Sequence, residues 1–335
     1  MKRALAAAAL LAAALLSGAA APTFDWKLPP GVAPPPVPAD NPMSEAKVEL
    51  GRRLFYDADL SVDGTLSCAS CHEQHRGFAE GNATRPGVHG TPGRRNVMGL
   101  ANVGYLTPLT WADPGQATLE AQFSTPVLGD TPIEMGMKGQ DAELVRRLSA
   151  DACYRRMFAA AFPGDREGVT VAKAAKAVAA FQRTLLSWDA PYDRYRRGEG
   201  AALSPPALAG LAVFEAKGCP SCHAGPNFTD GRFHAVAAPA GQDRGAVEKT
   251  ANPADANSFR TASLRNAALT GPYLHDGRAL TLGEAIVGHW GAGDGFASGE
   301  LAALDAFLAS LTDTSFVRNR RFALPKRFCG APRRR

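Results

Sequence analysis

Two pentapeptides constrain this chain more than anything else in it: Cys68-Ala69-Ser70-Cys71-His72 and Cys219-Pro220-Ser221-Cys222-His223. Each is C-x-x-C-H, the attachment signature of a c-type haem. Two thiols three positions apart can each bond one vinyl group of the same porphyrin, and the histidine that follows supplies the proximal imidazole to the iron. A C-x-x-C pair alone also serves zinc sites and redox dithiols. A zinc ribbon sets its two pairs roughly 15–20 residues apart, whereas these begin 151 positions apart. The doubled motif, each copy with its histidine, specifies two covalently bound haem c groups.

The start of the chain reads as an export signal peptide over residues 1–21. Lys2 and Arg3 precede an unbroken apolar run from Ala4 to Leu16, and Ser17-Gly18-Ala19-Ala20-Ala21 offers small residues for cleavage. The run is short for a membrane span, which needs about 20 residues; an uncleaved anchor is the alternative. No second apolar stretch approaches that length, so no stable membrane insertion is expected and the compartment reads as periplasm. Haem attachment to C-x-x-C-H takes place outside the bacterial cytoplasm, which agrees. The formal net charge of +5 falls to +3 once Lys2 and Arg3 are removed, too mild a balance to suggest nucleic acid as a partner. Arg333-Arg334-Arg335 reads as a solvated end. Four of the six cysteines belong to the haem motifs. Cys153 and Cys329 remain, in a compartment where a disulfide is chemically allowed; sequence alone does not say whether they meet.

The expected fold class is mainly α, with two cytochrome c-like haem domains, long loops and few strands. Residues 22–43 are proline-rich and should form an extended lead-in. An N-terminal haem domain then spans 44–190 and a C-terminal one 191–335. Ser44 caps a helix carrying Val48, Gly51, Leu54 and Phe55. Ser204-Pro205 opens another carrying Leu208, Leu211 and Phe214, with Gly218 as its stop. Gly51 and Phe55 share a G-x-x-x-F spacing with Gly210 and Phe214, which suggests two divergent copies of one unit. Ala142 to Phe162 and Val171 to Leu186 are helical in pattern, and Ser187 to Gly200 reads as the linker between halves. The histidines outside the motifs, His75, His89, His234, His275 and His289, are the candidates for further iron ligands, together with six methionines. Spacing alone does not choose among them.

The chain resembles the bacterial di-haem cytochrome c peroxidase and MauG family over nearly all of its length after the leader. The residues that carry the resemblance begin with the first C-x-x-C-H, followed by Gly77-Phe78-Ala79-Glu80-Gly81 and Arg95-Asn96. Leu109-Thr110-Trp111, Thr118-Leu119-Glu120-Ala121-Gln122 and Pro132-Ile133-Glu134-Met135-Gly136 come next. The second C-x-x-C-H, Leu264-Arg265-Asn266 and Thr270-Gly271-Pro272-Tyr273-Leu274-His275-Asp276-Gly277 complete the set. Trp26-Lys27-Leu28-Pro29, Pro38 to Ser44 and Leu109 to Ala112 look most like the MbnH branch, associated with copper-handling partner proteins.

The resemblance implies the following roles. The haem on His72 would be peroxidatic, with Glu134 as the distal acid-base group and Gln122 lining the same pocket. Trp111 would lie between the haems as a relay, although the family's W-D-G-R is here Trp111-Ala112-Asp113-Pro114-Gly115. Asn96, Thr270 and Pro272 would supply oxygens to one Ca2+. The haem on His223 would be the electron-transfer centre. Its sixth ligand falls fourteen positions after His275, on His289, where the family has methionine or tyrosine. His275 would stand behind the second haem. His89 lies near the position of a removable distal histidine, in a loosely matching stretch.

The expected activity is that of a periplasmic oxidoreductase using hydrogen peroxide. In a MauG- or MbnH-like mode it would oxidise an aromatic side chain, typically tryptophan, on a partner protein. Two imidazoles on the second haem favour this mode, because His/His ligation lowers the potential relative to His/Met. A conventional cytochrome c peroxidase, drawing electrons from a small cytochrome or cupredoxin, is the first alternative. A di-haem electron carrier without catalysis is the second.

Overall fold

The computed structural model describes residues 24–236, 242–290 and 295–325, with the short pieces 327–328 and 331–332. The expected signal peptide and Cys329 lie outside the described residues. Cys153 is disulfide-bonded. Among the described residues no helix is long and apolar enough to cross a membrane.

Helices dominate. Those of six residues or more are α1 (Glu45–Phe55), α2 (Asp141–Ala150), α3 (Ala152–Ala161), α4 (Val171–Arg183), α5 (Pro191–Arg196), α6 (Pro205–Ala216), α7 (Leu282–Trp290) and α8 (Glu300–Ala309). Strands are few, as expected. β1 (Phe233–Ala235) pairs antiparallel with β2 (Ser258–Arg260), with Phe233 opposite Arg260. β3 (Arg327–Phe328) and β4 (Ala331–Pro332) form a second ribbon.

Each half is built on one tight helix crossing. Ser44 caps α1, its hydroxyl accepting from the Lys47 N–H at 3.2 Å, and the face of Leu50, Gly51, Leu54 and Phe55 is buried. A β-carbon on Gly51 would stand 1.8 Å from the Ala177 carbonyl oxygen of α4. In the second half α6 meets α8 in the same way, with a β-carbon on Gly210 falling 1.8 Å from the Ala303 carbonyl oxygen. Beside each glycine the rings interlock edge to face or tilted, Phe55 with Phe181 at 5.3 Å and Phe214 with Phe307 at 5.1 Å. The G-x-x-x-F spacing is therefore one half of a repeated contact. Its other half is Ala177-x-x-x-Phe181 and Ala303-x-x-x-Phe307. Gly51→Ala or Gly210→Ala should each destabilise the holoprotein by about 1–3 kcal/mol through overpacking. Urea unfolding checks this, and a midpoint equal to wild type would show that the helices separate freely.

Two local expectations change. The helical stretch from Ala142 is interrupted at Asp151, whose carboxylate accepts from the Cys153 N–H at 2.6 Å and so starts α3 afresh. A short polar side chain that satisfies the next turn's donors competes with helix continuation. The linker also contains a helix, α5, opened by Pro191. Asp193 accepts from the Ala190 N–H at 3.0 Å, and its carboxylate is paired with the buried Arg265 at 2.8 Å.

The first hydrophobic core joins α1 to α4 and then takes in Phe316 and Phe322 from the far end of the chain. Phe78 packs on Phe316 at 5.6 Å, the Tyr56 hydroxyl donates to the Phe322 carbonyl at 2.8 Å, and Gln74 donates to that of Asn319 at 2.8 Å. The second core groups Phe214, Phe228, Leu304, Phe307, Leu308 and Leu311, with Tyr192 of α5 against it.

Candidate haem sites

Both attachment motifs fold into a single tight turn that ends by presenting an imidazole. In the first, the Ser67 N–H donates to the Ser70 hydroxyl at 3.0 Å, fixing the turn Cys68–Cys71. The His72 N–H then donates to the Cys68 carbonyl at 2.9 Å. In the second, Gly218 takes φ 72° to enter the turn, and the His223 N–H donates to the Cys219 carbonyl at 2.9 Å.

The imidazoles are oriented alike. His72 Nδ1 lies 2.7 Å from the Phe78 carbonyl and His223 Nδ1 lies 3.0 Å from that of Phe228. A carbonyl only accepts, so Nδ1 carries the proton in each ring and Nε2 is the nitrogen available to a metal. Both phenylalanines adopt positive φ, 62° and 51°, unusual for a bulky residue. The repeated strain turns the carbonyl towards the ring. Burial keeps both imidazoles neutral, lowering the pKa of His72 and pushing that of His223 down to about 4. The four motif thiols are unpaired. Each motif borders a cavity, of about 640 Å³ at His72 and 470 Å³ at His223, the size of an ordinary cofactor cleft. Two thiols, one free Nε2 and this volume fit a covalently held haem in each half.

The first cavity gathers Cys68, Cys71, His72, Gln122, Glu134 and Trp111. Glu134 is held by its neighbours' backbone. The Val88 N–H donates to the Glu134 carbonyl at 2.8 Å, that of Val62 to Met135 at 2.8 Å, and that of Met135 to Pro126 at 2.9 Å. Gly87 passes so close that a β-carbon there would lie 2.0 Å from the Ile133 carbonyl oxygen. Burial alone raises the pKa of the Glu134 carboxyl. Gln122 ends the turn Leu119–Gln122, which Thr118 caps by accepting from the Ala121 N–H at 3.2 Å. His89 is exposed, sits at φ 61°, and does not line this cavity.

The second cavity gathers Cys219, Cys222, His223, His289, His275, Asn96, Thr270, Pro272 and again Trp111. His289 lies near the end of α7, its Nδ1 donating to the Ala285 carbonyl at 2.6 Å. Its ring centre is 6.3 Å from that of His223, with the planes 80° apart. Two imidazoles bonded to opposite sides of one metal at about 2 Å would set their centres roughly 6 Å apart. His275 is buried, stacked on Phe259 at 3.7 Å, and its Nε2 has no partner. Its carbonyl accepts from the Asn96 N–H at 2.7 Å.

Trp111 stands in the wall that the two cavities share, with Asn96, Val97 and Met98. Its indole N–H donates to the Asn96 carbonyl at 2.8 Å. His75 is exposed, and His234 pairs with Asp230 at 2.7 Å at the edge of the second cavity. Sequence reading missed Met98 in the shared wall and Arg260 in the second cavity. Neither belongs to a local pattern: Arg260 contacts Met98 across 162 positions.

A family model described as di-haem cytochrome c peroxidase matches residues 45–201. The chain is 38% identical to the cytochrome-c peroxidase IdrP1 of Denitromonas iodatirespirans, over 87% of this chain and 85% of that one. It is 36% identical to the methylamine utilization protein MauG of Methylorubrum extorquens, over 76% and 71%. A solved structure described as a MauG-like protein associated with microbial copper homeostasis matches with TM-score 0.84 and 40% identity, covering 91% of this chain and 100% of that one. The diheme peroxidase BthA from Burkholderia thailandensis shares the fold, at TM-score 0.67 and 22% identity, over 84% and 90%.

Proposed function

Because the chain belongs to the di-haem cytochrome c peroxidase and MauG family, we propose that it is a periplasmic enzyme that uses hydrogen peroxide to oxidise an aromatic side chain, typically tryptophan, on a partner protein. The observation that carries this reading is the asymmetry of the two cavities about Trp111. The first holds one imidazole and a carboxyl of raised pKa, whereas the second holds two facing imidazoles. A copper-handling protein is the partner class we favour, on the likeness to the MauG-like protein associated with copper homeostasis.

Bound haem supplies peroxide activation in the first half and electron storage in the second. Cys68, Cys71 and His72 hold the first group, and Cys219, Cys222, His223 and His289 hold the second. Glu134 would take a proton from one peroxide oxygen and return it to the other, which leaves as water when the O–O bond breaks; the second oxygen becomes water with two protons and the two electrons drawn from the partner's side chain. Gln122 orients the peroxide by hydrogen bonding. The Phe78 and Phe228 carbonyls fix the proximal imidazoles. Trp111 bridges the halves by occupying their common wall. Asn96, Thr270 and Pro272, which line the same cavity, would offer oxygen donors to a calcium ion.

Titrating the purified diferric protein with hydrogen peroxide, followed optically and by EPR without reductant, tests the reading. Rapid change in both haem signals is expected. Reaction only after one-electron reduction would instead assign the conventional peroxidase cycle. No reaction in either state would leave a di-haem electron carrier.

A further inference from the structure

Resting on the reading of a haem at His223, we propose that Arg260 is the cation that holds the carboxylates of the second haem and eases its reduction. Among the described residues three arginines are less than 5% exposed: Arg183, Arg260 and Arg265. Arg183 is paired with Glu120 and Arg265 with Asp193, each at 2.8 Å. Arg260 has no carboxylate within ion-pair distance among the described residues. Its guanidinium meets only neutral acceptors, the Thr110 carbonyl at 3.3 Å, the Thr261 carbonyl at 3.5 Å and the Met98 sulfur at 3.1 Å. Burial pushes its pKa down to about 10, which leaves it charged at neutral pH.

A buried charge without a counterion is strongly disfavoured. The counterion must therefore come from what fills the second cavity, which Arg260 lines. A porphyrin held by its two former vinyl groups still carries two carboxylates. A second observation points the same way. His275, also in that cavity and 2% exposed, has an unpartnered Nε2 and stacks on Phe259, the neighbour of Arg260 in β2. Arg278, the other arginine on the cavity besides Arg265, is paired with Asp276 at 3.2 Å. The Arg260 backbone N–H donates to the Trp111 carbonyl at 2.8 Å, which ties its strand to the inter-haem wall. A positive charge there stabilises the reduced iron.

The test is a potentiometric titration of the low-spin bands of the second haem in wild type, Arg260→Gln and Arg260→Lys, each verified to carry two haems per chain. Gln should lower the ferrous-to-ferric ratio at fixed potential at least tenfold, which is 59 mV for a one-electron couple. Lys, which keeps the charge, should stay within about threefold. A Gln variant within threefold of wild type overturns the proposal, as does a Lys variant shifted as far as Gln, which would make the lost neutral contacts the cause. Loss of the second haem in Gln but not in Lys supports it. If neither variant loads, the propionate bending band of the wild-type resonance Raman spectrum decides. A frequency typical of a paired carboxylate supports the assignment and one typical of a solvated carboxylate overturns it. A wild-type protein with one haem would overturn the reading beneath the proposal instead.

Discussion

Glu134→Gln should slow the reaction of the diferric protein with hydrogen peroxide by about 10²–10⁴-fold while both haems remain attached. The substitution keeps the shape and the backbone clamp from Val88, Val62 and Pro126, and removes only the capacity to move a proton. Burial is the sole influence on this carboxyl, and it holds the pKa above the ordinary 4.5. The sign follows from the role. A proton acceptor must be ionised, so the wild-type rate should rise as pH rises through the elevated pKa. The acid limb should stand above 4.5, closer to working conditions than an exposed glutamate would allow. In the glutamine variant that limb should vanish. Stopped-flow rates across pH check both statements; a variant within threefold of wild type would remove Glu134 from the chemistry.

Arg265→Met should destabilise the holoprotein by about 3–5 kcal/mol, because it leaves a carboxylate buried without its partner. Arg265 makes two bonds to Asp193, at 2.9 and 2.8 Å, and others to the Ser187 carbonyl at 3.1 Å and the Pro226 carbonyl at 2.7 Å. Its guanidinium also lies over the Trp188 ring, 4.2 Å from the centroid. One side chain thus ties the linker and α5 to the loop whose Phe228 carbonyl orients His223. Asp193→Asn in the same chain should recover part of the loss, since an amide is cheaper to bury than a charge. Denaturant unfolding of the single and double variants measures this. A single variant as stable as wild type would mean that water reaches Asp193.

Local chemistry was legible in the sequence; chemistry assembled from distant segments was not. The attachment turns, the Ser44 and Ser204 caps and the helix carrying His289 each need only residues within a turn or two. Gly51 and Gly210 announced the duplication by spacing, although only the folded chain shows why a side chain is forbidden there. Glu134 has no signature of its own in the sequence. It rises from an ordinary loop acid to a cavity group through backbone bonds that its own carbonyl and that of Met135 accept from Val88 and Val62, 46 and 73 positions earlier. Resemblance located it, not periodicity. The short helix in the linker escaped because its stability comes from a carboxylate paired with an arginine 72 positions away. His89 shows the converse: a plausible spacing from His72 places it on an exposed turn outside the cavity.

The return of Phe316 and Phe322 to the first core imposes an order of events on biogenesis. Phe78 provides the carbonyl that steadies His72, yet two of the rings that pack around it arrive 238 and 244 positions later in the chain. The first attachment motif is synthesised long before its own core can close. The N-terminal half therefore stays open until this late segment arrives, and Phe316 and Phe322 act as the latch that closes the core behind His72.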